Sequence, residues 1–80
     1  MQIKILGAGC AKCKQLEANA IEAAKQLGLQ VEIEKVTDIT KIAEHGVMST
    51  PGLVINGKVK SVGKVPNVAQ VMELIKEEMQ

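Results

Sequence analysis

Apolar residues recur along the chain with two periods, and each change of period marks a new element. A strand-like apolar run stands at the start of the chain and ends at Gly7; it consists of Ile3, Ile5 and Leu6. Apolar residues then recur at the spacing of an amphipathic helix, at Leu16, Ala20, Ala23 and Leu27. The pattern predicts that this helix begins near Ala11 and ends at Gly28.

The middle of the chain predicts a strand, a short helix and a second strand. Residues 31–35 alternate between apolar and charged side chains, which is typical of a half-buried strand at the edge of a sheet. Thr37 or Asp38 can cap a short helix that is closed by Gly46. The continuous apolar run at residues 53–55 predicts a central strand, because both of its faces are apolar.

The last third of the chain predicts a hairpin and a helix. Asn56-Gly57 is a strong signal for a two-residue turn, and the lysine-faced residues 58–62 suit the second strand and the other sheet edge. Asn67 can cap a final helix. The apolar positions of that helix are Val68, Val71, Met72, Ile75 and Met79. Their period predicts that Met72 and Met79 lie in the core. The predicted order is β-α-β-α-β-β-α, an α/β fold that we expect to form one domain over residues 1–80.

Composition and charge exclude several classes of function. The chain is 46% hydrophobic with no aromatic residue, so the core must be aliphatic and no aromatic ring can stack on a single-stranded base. Its net charge is +1 and its lysines are scattered, which argues against a nucleic-acid or anionic-membrane surface. The first residues form a strand pattern rather than a signal peptide, and no segment reaches transmembrane length. We therefore expect a cytoplasmic protein.

Both cysteines of the chain stand where the first strand ends and the first helix begins. Two residues separate Cys10 from Cys13, so their sulfurs can meet as a disulfide or as two ligands of one metal ion. A bridge between them would close almost no loop and would add little stability, which favours a chemical role. Free N-H groups and the positive end of the helix dipole stabilise a thiolate, and Cys10 is the better placed of the two. Lys12 adds positive potential beside them.

The chain combines a C-x-x-C pair at the start of the first helix, Thr50-Pro51 before a buried strand, a hairpin and a final helix. In these features it resembles the thioredoxin and glutaredoxin superfamily in minimal form. The chain is most similar to small thioredoxin-like proteins labelled redox-active disulfide protein 2. The resemblance covers essentially the whole chain. It implies a four-stranded mixed sheet in the order 2-1-3-4 flanked by three helices, with a cis peptide bond before Pro51. It also implies a thiol-disulfide oxidoreductase without a cofactor.

The resemblance assigns roles to residues that match the family pattern. Cys10 becomes the nucleophile and Cys13 the resolving thiol, while Thr50 and Pro51 form the loop that contacts the substrate. Gly9 and Lys12 are further expected substrate contacts; they differ from the aromatic residue and the dipeptides that better-known members carry there. The implied partners are a disulfide-containing protein or small molecule and a separate electron donor, and the implied state is a monomer.

One further departure concerns the position about six residues before the first cysteine. Many thioredoxins have a buried acid there that assists proton transfer from the resolving thiol. In this chain Lys4 stands near that position.

Other functions could use the same residues. The loop from Gly7 to Cys13 also resembles the G-x-x-C-x-x-C loop of heavy-metal-associated domains, which bind soft Cu(I) through two thiolates. Those domains end β-α-β, whereas this pattern ends β-β-α. A passive module could bind partners through the Thr50-Pro51 groove without chemistry, and the cysteines could simply be small buried residues. Met48, close before Pro51, either lines the site or fills the rim of the core.

Overall fold

The computed structural model describes residues 1–7 and 11–79. Over these ranges the elements follow the predicted order. The strands are β1 (Gln2–Leu6), β2 (Glu32–Val36), β3 (Gly52–Ile55) and β4 (Lys58–Val62). The helices are α1 (Ala11–Gln26), α2 (Ile39–Glu44) and α3 (Val68–Met79). In the described part of the chain, no helix combines the length and apolar character needed to cross a membrane.

The strands form one mixed sheet in the order β2-β1-β3-β4, which confirms the expected order 2-1-3-4. β1 pairs in parallel with β2 and antiparallel with β3, so that Leu6 lies opposite Gly52. The β3–β4 turn places Asn56 and Gly57 at φ values of 50° and 82°, which is the backbone conformation that an Asn-Gly hairpin favours. The charged strands β2 and β4 therefore lie at the two edges.

Aliphatic side chains cover both faces of the sheet. The larger buried cluster joins β1 and β3 to α1 and α3, and it consists of Ile3, Ile5, Leu16, Ala20, Ala23, Leu53, Ile55, Val71 and Ile75. The smaller cluster lies on the α2 face and consists of Leu6, Val36, Ile42, Val47 and Val54. Ile3 and Ile5 of β1 thus enter the larger cluster and Leu6 enters the smaller one, as the pleat of a strand requires.

The helix ends follow local sequence signals. The Asp38 carboxylate accepts a hydrogen bond from the backbone N-H of Thr40 at 2.8 Å and so caps α2. The side-chain oxygen of Asn67 accepts from the Gln70 N-H at 2.8 Å, and the Gln70 side chain accepts from the Asn67 N-H at 2.9 Å. This reciprocal pair satisfies two N-H groups at the start of α3.

The core prediction was wrong for Met79. This residue ends α3 and its surface is 54% exposed, whereas Ile75, one turn earlier, is fully buried. Helical periodicity gives the face on which a residue lies, and it carries no information about where the sheet beneath that face stops.

Candidate active site

Three elements meet at one end of the sheet, where β1 finishes. Because β1 and β3 run antiparallel with Leu6 opposite Gly52, the residue after β1 lies beside the residues that precede β3. The N-H of Gly7 also donates to the carbonyl of Val36 at 2.9 Å, which ties this end of β1 to the end of β2. Helix α1 begins close by, at Ala11.

Cys13 lies in the first turn of α1 with only 5% of its surface exposed. Its side chain packs directly against Gly7. A Cβ atom built on Gly7 would overlap the Sγ of Cys13, and it would lie 3.3 Å from the Cβ of Cys13 and 3.7 Å from the Cβ of Thr50. Gly7 is therefore required by close approach rather than by the left-handed backbone of a turn, because its φ lies outside that region.

The peptide bond between Thr50 and Pro51 is cis, as the family resemblance implied. Pro51 is fully buried, and its carbonyl accepts a hydrogen bond from the Gly63 N-H at 2.8 Å. Thr50 is exposed to solvent. The closeness of Gly7 to both Thr50 and Cys13 thus brings two of the sequence-predicted site residues to one place.

The structure describes one of the three remaining predicted site residues, which are Lys12, Gly9 and Cys10. Lys12 is exposed in the first turn of α1, where its ammonium group faces solvent. Gly9 and Cys10 lie outside the described residues, so their expected roles as substrate contact and nucleophile stay predictions.

A small cavity of about 60 Å³ adjoins Cys13. It is lined by Ile5, Gly7, Cys13, Lys14, Glu17, Lys35 and Thr37. Lys35 Nζ lies 3.5 Å from Glu17 Oε2, and the Glu17 side chain is 22% exposed. No sequence motif had indicated a role for Glu17 or Lys35. The signal for Glu17 was its position four residues after Cys13, which places both side chains on one face of the helix.

An apolar groove of about 270 Å³ begins at Thr50 and follows α2. Two of its side chains are largely exposed, Ile39 at 78% and Met48 at 92%. Met48 is therefore a lining residue next to the Thr50-Pro51 loop and takes no part in the core. Within residues 1–7 and 11–79, no group of three or more His, Cys, Asp or Glu side chains is arranged to hold a metal ion.

Comparison with known proteins agrees with this architecture. The Thioredoxin domain family model matches residues 1–76. A thioredoxin from Methanothermobacter thermautotrophicus is 40% identical, over 94% of this chain and 97% of the relative. A thioredoxin from Methanocaldococcus jannaschii is 42% identical, over 92% of this chain and 85% of the relative. A solved structure described as a malarial protein has a similar fold, with a TM-score of 0.71 over 99% of this chain and 97% of that one, at 17% identity. The chain belongs to the thioredoxin family.

Proposed function

We propose that this protein is a thiol-disulfide oxidoreductase that acts through Cys10 and Cys13. Membership of the thioredoxin family supports that class of reaction. The observation that carries the proposal is the burial of Cys13 in the first turn of α1, against Gly7 and beside Thr50. A thiol held behind the start of a helix is suited to a second, intramolecular attack, since solution disulfides cannot easily reach it.

In the proposed cycle, the Cys10 thiolate attacks one sulfur of a substrate disulfide. A mixed disulfide forms between Cys10 and that sulfur, and the other substrate sulfur leaves as a thiolate. Cys13 then attacks the Cys10 sulfur, so that the Cys10–Cys13 bond forms and the second substrate thiolate leaves. The substrate has gained two electrons and the protein has lost two, which a separate thiol or enzymatic donor must return.

The rest of the proposal concerns the surroundings of the pair. The exposed Thr50 and the buried Pro51 would contact an extended substrate. Gly9 and Lys12 are proposed as further substrate contacts. The substrate class is a disulfide of a protein or a small molecule. We further propose one thioredoxin-like domain over residues 1–80, a monomeric state, a cytoplasmic location and no bound cofactor.

A trapping experiment tests the proposal. The reduced Cys13→Ser variant is mixed with a disulfide-bonded test peptide, and intact mass spectrometry should show a peptide adduct on Cys10 that a thiol reductant removes. The parent chain should release the peptide as free thiols, and the matched Cys10→Ser variant should accumulate far less adduct. If Cys13→Ser forms no adduct and the parent reduces no peptide, the oxidoreductase proposal is wrong.

The same proteins separate the alternatives. A two-thiol metal carrier would form a stoichiometric Cu(I) adduct under anaerobic conditions, and native mass spectrometry would show its loss in Cys10→Ser. A passive interaction module would bind the peptide equally well with and without Cys10.

A further inference from the structure

The buried position of Cys13 raises the question of where its proton goes. Only a thiolate attacks a disulfide effectively, so the Cys13 thiol must lose its proton before or during the second step of the cycle. We propose that the Glu17 carboxylate accepts this proton and that Glu17 is a further catalytic residue of the reaction. The inference rests on the proposed function, because it concerns the resolving step of that cycle.

The cavity beside Cys13 supports this assignment. Glu17 lies four residues after Cys13 on α1, and both side chains line the same small cavity. The cavity volume of about 60 Å³ gives room for a water molecule or two, which could carry the proton between sulfur and carboxylate. Glu17 is half-buried, with 22% of its side chain exposed to solvent.

The position of Lys35 explains how the carboxylate is held there. In the parallel β1–β2 pairing, Lys35 lies opposite Ile5, whose side chain lines the cavity. Its ammonium group lies 3.5 Å from Glu17 Oε2, and this ion pair holds the carboxylate beside the cavity. The titratable and charged side chains that face Glu17 around the cavity are Cys13, Lys14 and Lys35.

The other groups near Cys13 are less suited to the role. Lys4 lies between Ile3 and Ile5, whose side chains both enter the larger cluster, so by strand alternation its own side chain points to the opposite face, away from the cavity that Ile5 lines. Lys14 and Lys35 are cations in their ordinary state and have no lone pair to offer. Among the described residues that line the cavity, Glu17 is the one carboxylate.

The step balances as follows. The Cys13 proton moves to Glu17, the Cys13 sulfur bonds to the Cys10 sulfur, and the Cys10–substrate bond breaks. The substrate sulfur leaves with the electron pair of that bond as a thiolate. Glu17, now neutral, returns the proton to solvent or to the departing thiolate, so the carboxylate is ready for the next cycle.

The test separates the two chemical steps with 5,5′-dithiobis(2-nitrobenzoate). Attack by the first thiol releases one coloured aryl thiolate, and closure by Cys13 releases the second. In Glu17→Gln, the second release near neutral pH should slow by about a hundredfold, the lower end of the usual range for a proton acceptor. The first release should change less than about twofold. Above about pH 9, where a thiol ionises without help, the second release should approach the parent rate.

Three variants serve as controls. Glu22→Gln changes an exposed acid of the same helix and should match the parent at every pH. Lys35→Met breaks the ion pair but keeps the carboxylate, so it should slow the second release much less than Glu17→Gln. Glu17→Asp keeps the carboxylate and should recover part of the rate. Far-ultraviolet circular dichroism checks that each variant is folded.

The outcomes distinguish this inference from the proposed function. A parent-like second release in Glu17→Gln near neutral pH would overturn the role of Glu17 and leave the Cys10–Cys13 cycle intact. Equal slowing by Glu17→Gln and Lys35→Met at all pH values would also overturn it, because the pair would then only hold α1 against β2. If the parent chain gives no second release, the resolving role of Cys13 fails, and the role of Glu17 fails with it.

Discussion

From the close contact between Gly7 and Cys13 we predict how much Gly7→Ala lowers the free energy of unfolding. Gly7→Ala adds a Cβ atom that would overlap the Sγ of Cys13, and the next two atoms are 3.3 Å and 3.7 Å away. The backbone of Gly7 has no positive φ, so alanine is compatible with its conformation. The cost of the substitution therefore comes almost entirely from one sulfur atom.

The cost of Gly7→Ala should depend on whether the Cys13 sulfur is present. Overpacking a buried position costs about 1–3 kcal/mol, and we expect about 2 kcal/mol for Gly7→Ala in the parent chain. In a Cys13→Ala background the nearest remaining neighbour is the Cβ of residue 13 at 3.3 Å, a contact that shifts of a few tenths of an ångström relieve. The gain of about 0.4–1 kcal/mol from a less flexible unfolded chain then offsets what remains of the clash. The two substitutions should show a coupling of about 2 kcal/mol.

The assay is a double-mutant cycle of urea unfolding with a phosphine reductant present. Far-ultraviolet circular dichroism is the probe, since the chain has no aromatic residue to fluoresce. Gly52→Ala is the matched control, because the three atoms nearest to its Cβ belong to the side chains of Leu6 and Val47, the nearest at 3.3 Å. Its cost should be the same with and without the Cys13 sulfur. If Gly7→Ala costs equally much in both backgrounds, the close-approach argument is wrong.

The remaining predictions concern the core, a helix cap and pH. Leu16→Ala empties a fully buried position of α1 and should lower the free energy of unfolding by about 2–5 kcal/mol in the same urea assay. Asn67→Ala removes the acceptor for the Gln70 N-H and should cost about 0.5–2 kcal/mol; no measurable loss would contradict the capping role. The hydrogen bond between Glu78 and Lys60 lowers the pKa of Glu78 from its ordinary 4.5 and raises the pKa of Lys60 above 10.5. The stability that Glu78 contributes is thus present above about pH 4.5 and is lost as the pH falls through its lowered pKa. The stability that Lys60 contributes is lost at high pH, as the pH rises through its raised pKa. In Glu78→Gln, the free energy of unfolding should therefore fall less steeply with decreasing pH than in the parent chain.

The sequence predicted the elements well because each carries its own local signal. The Asn56-Gly57 pair requires positive φ at both positions and defines the hairpin without reference to the rest of the chain. Asn67 likewise marks the start of α3 through a hydrogen bond to a near neighbour. The prediction failed at Met79, where the outcome depends on how far the sheet extends under the helix.

The surroundings of the site were predicted less completely, and the reason is physical. The position of Cys13 in the first turn of α1 followed from the change of apolar period at Ala11. The pairing of Glu17 with Lys35 depends on the register between β1 and β2 and on the side of the sheet that α1 covers. A local sequence pattern contains neither the register nor the covered side of the sheet. Helical spacing could therefore indicate that Glu17 lies near Cys13, but it could not identify Lys35 as the ion-pair partner of Glu17.

The central position of β1 in the sheet explains why Gly7 contacts several elements at once. A central strand has a neighbouring strand on each side. At the end of β1, the Gly7 N-H donates a hydrogen bond to the carbonyl of Val36 in β2. On its other side, Gly7 lies beside Thr50, which precedes β3. Helix α1 then places Cys13 directly over it. Glycine at this position therefore lets the Cys13 side chain pack against the end of β1, beside Thr50. A larger residue would place its Cβ on the Sγ of Cys13, so the buried thiol could not keep this position.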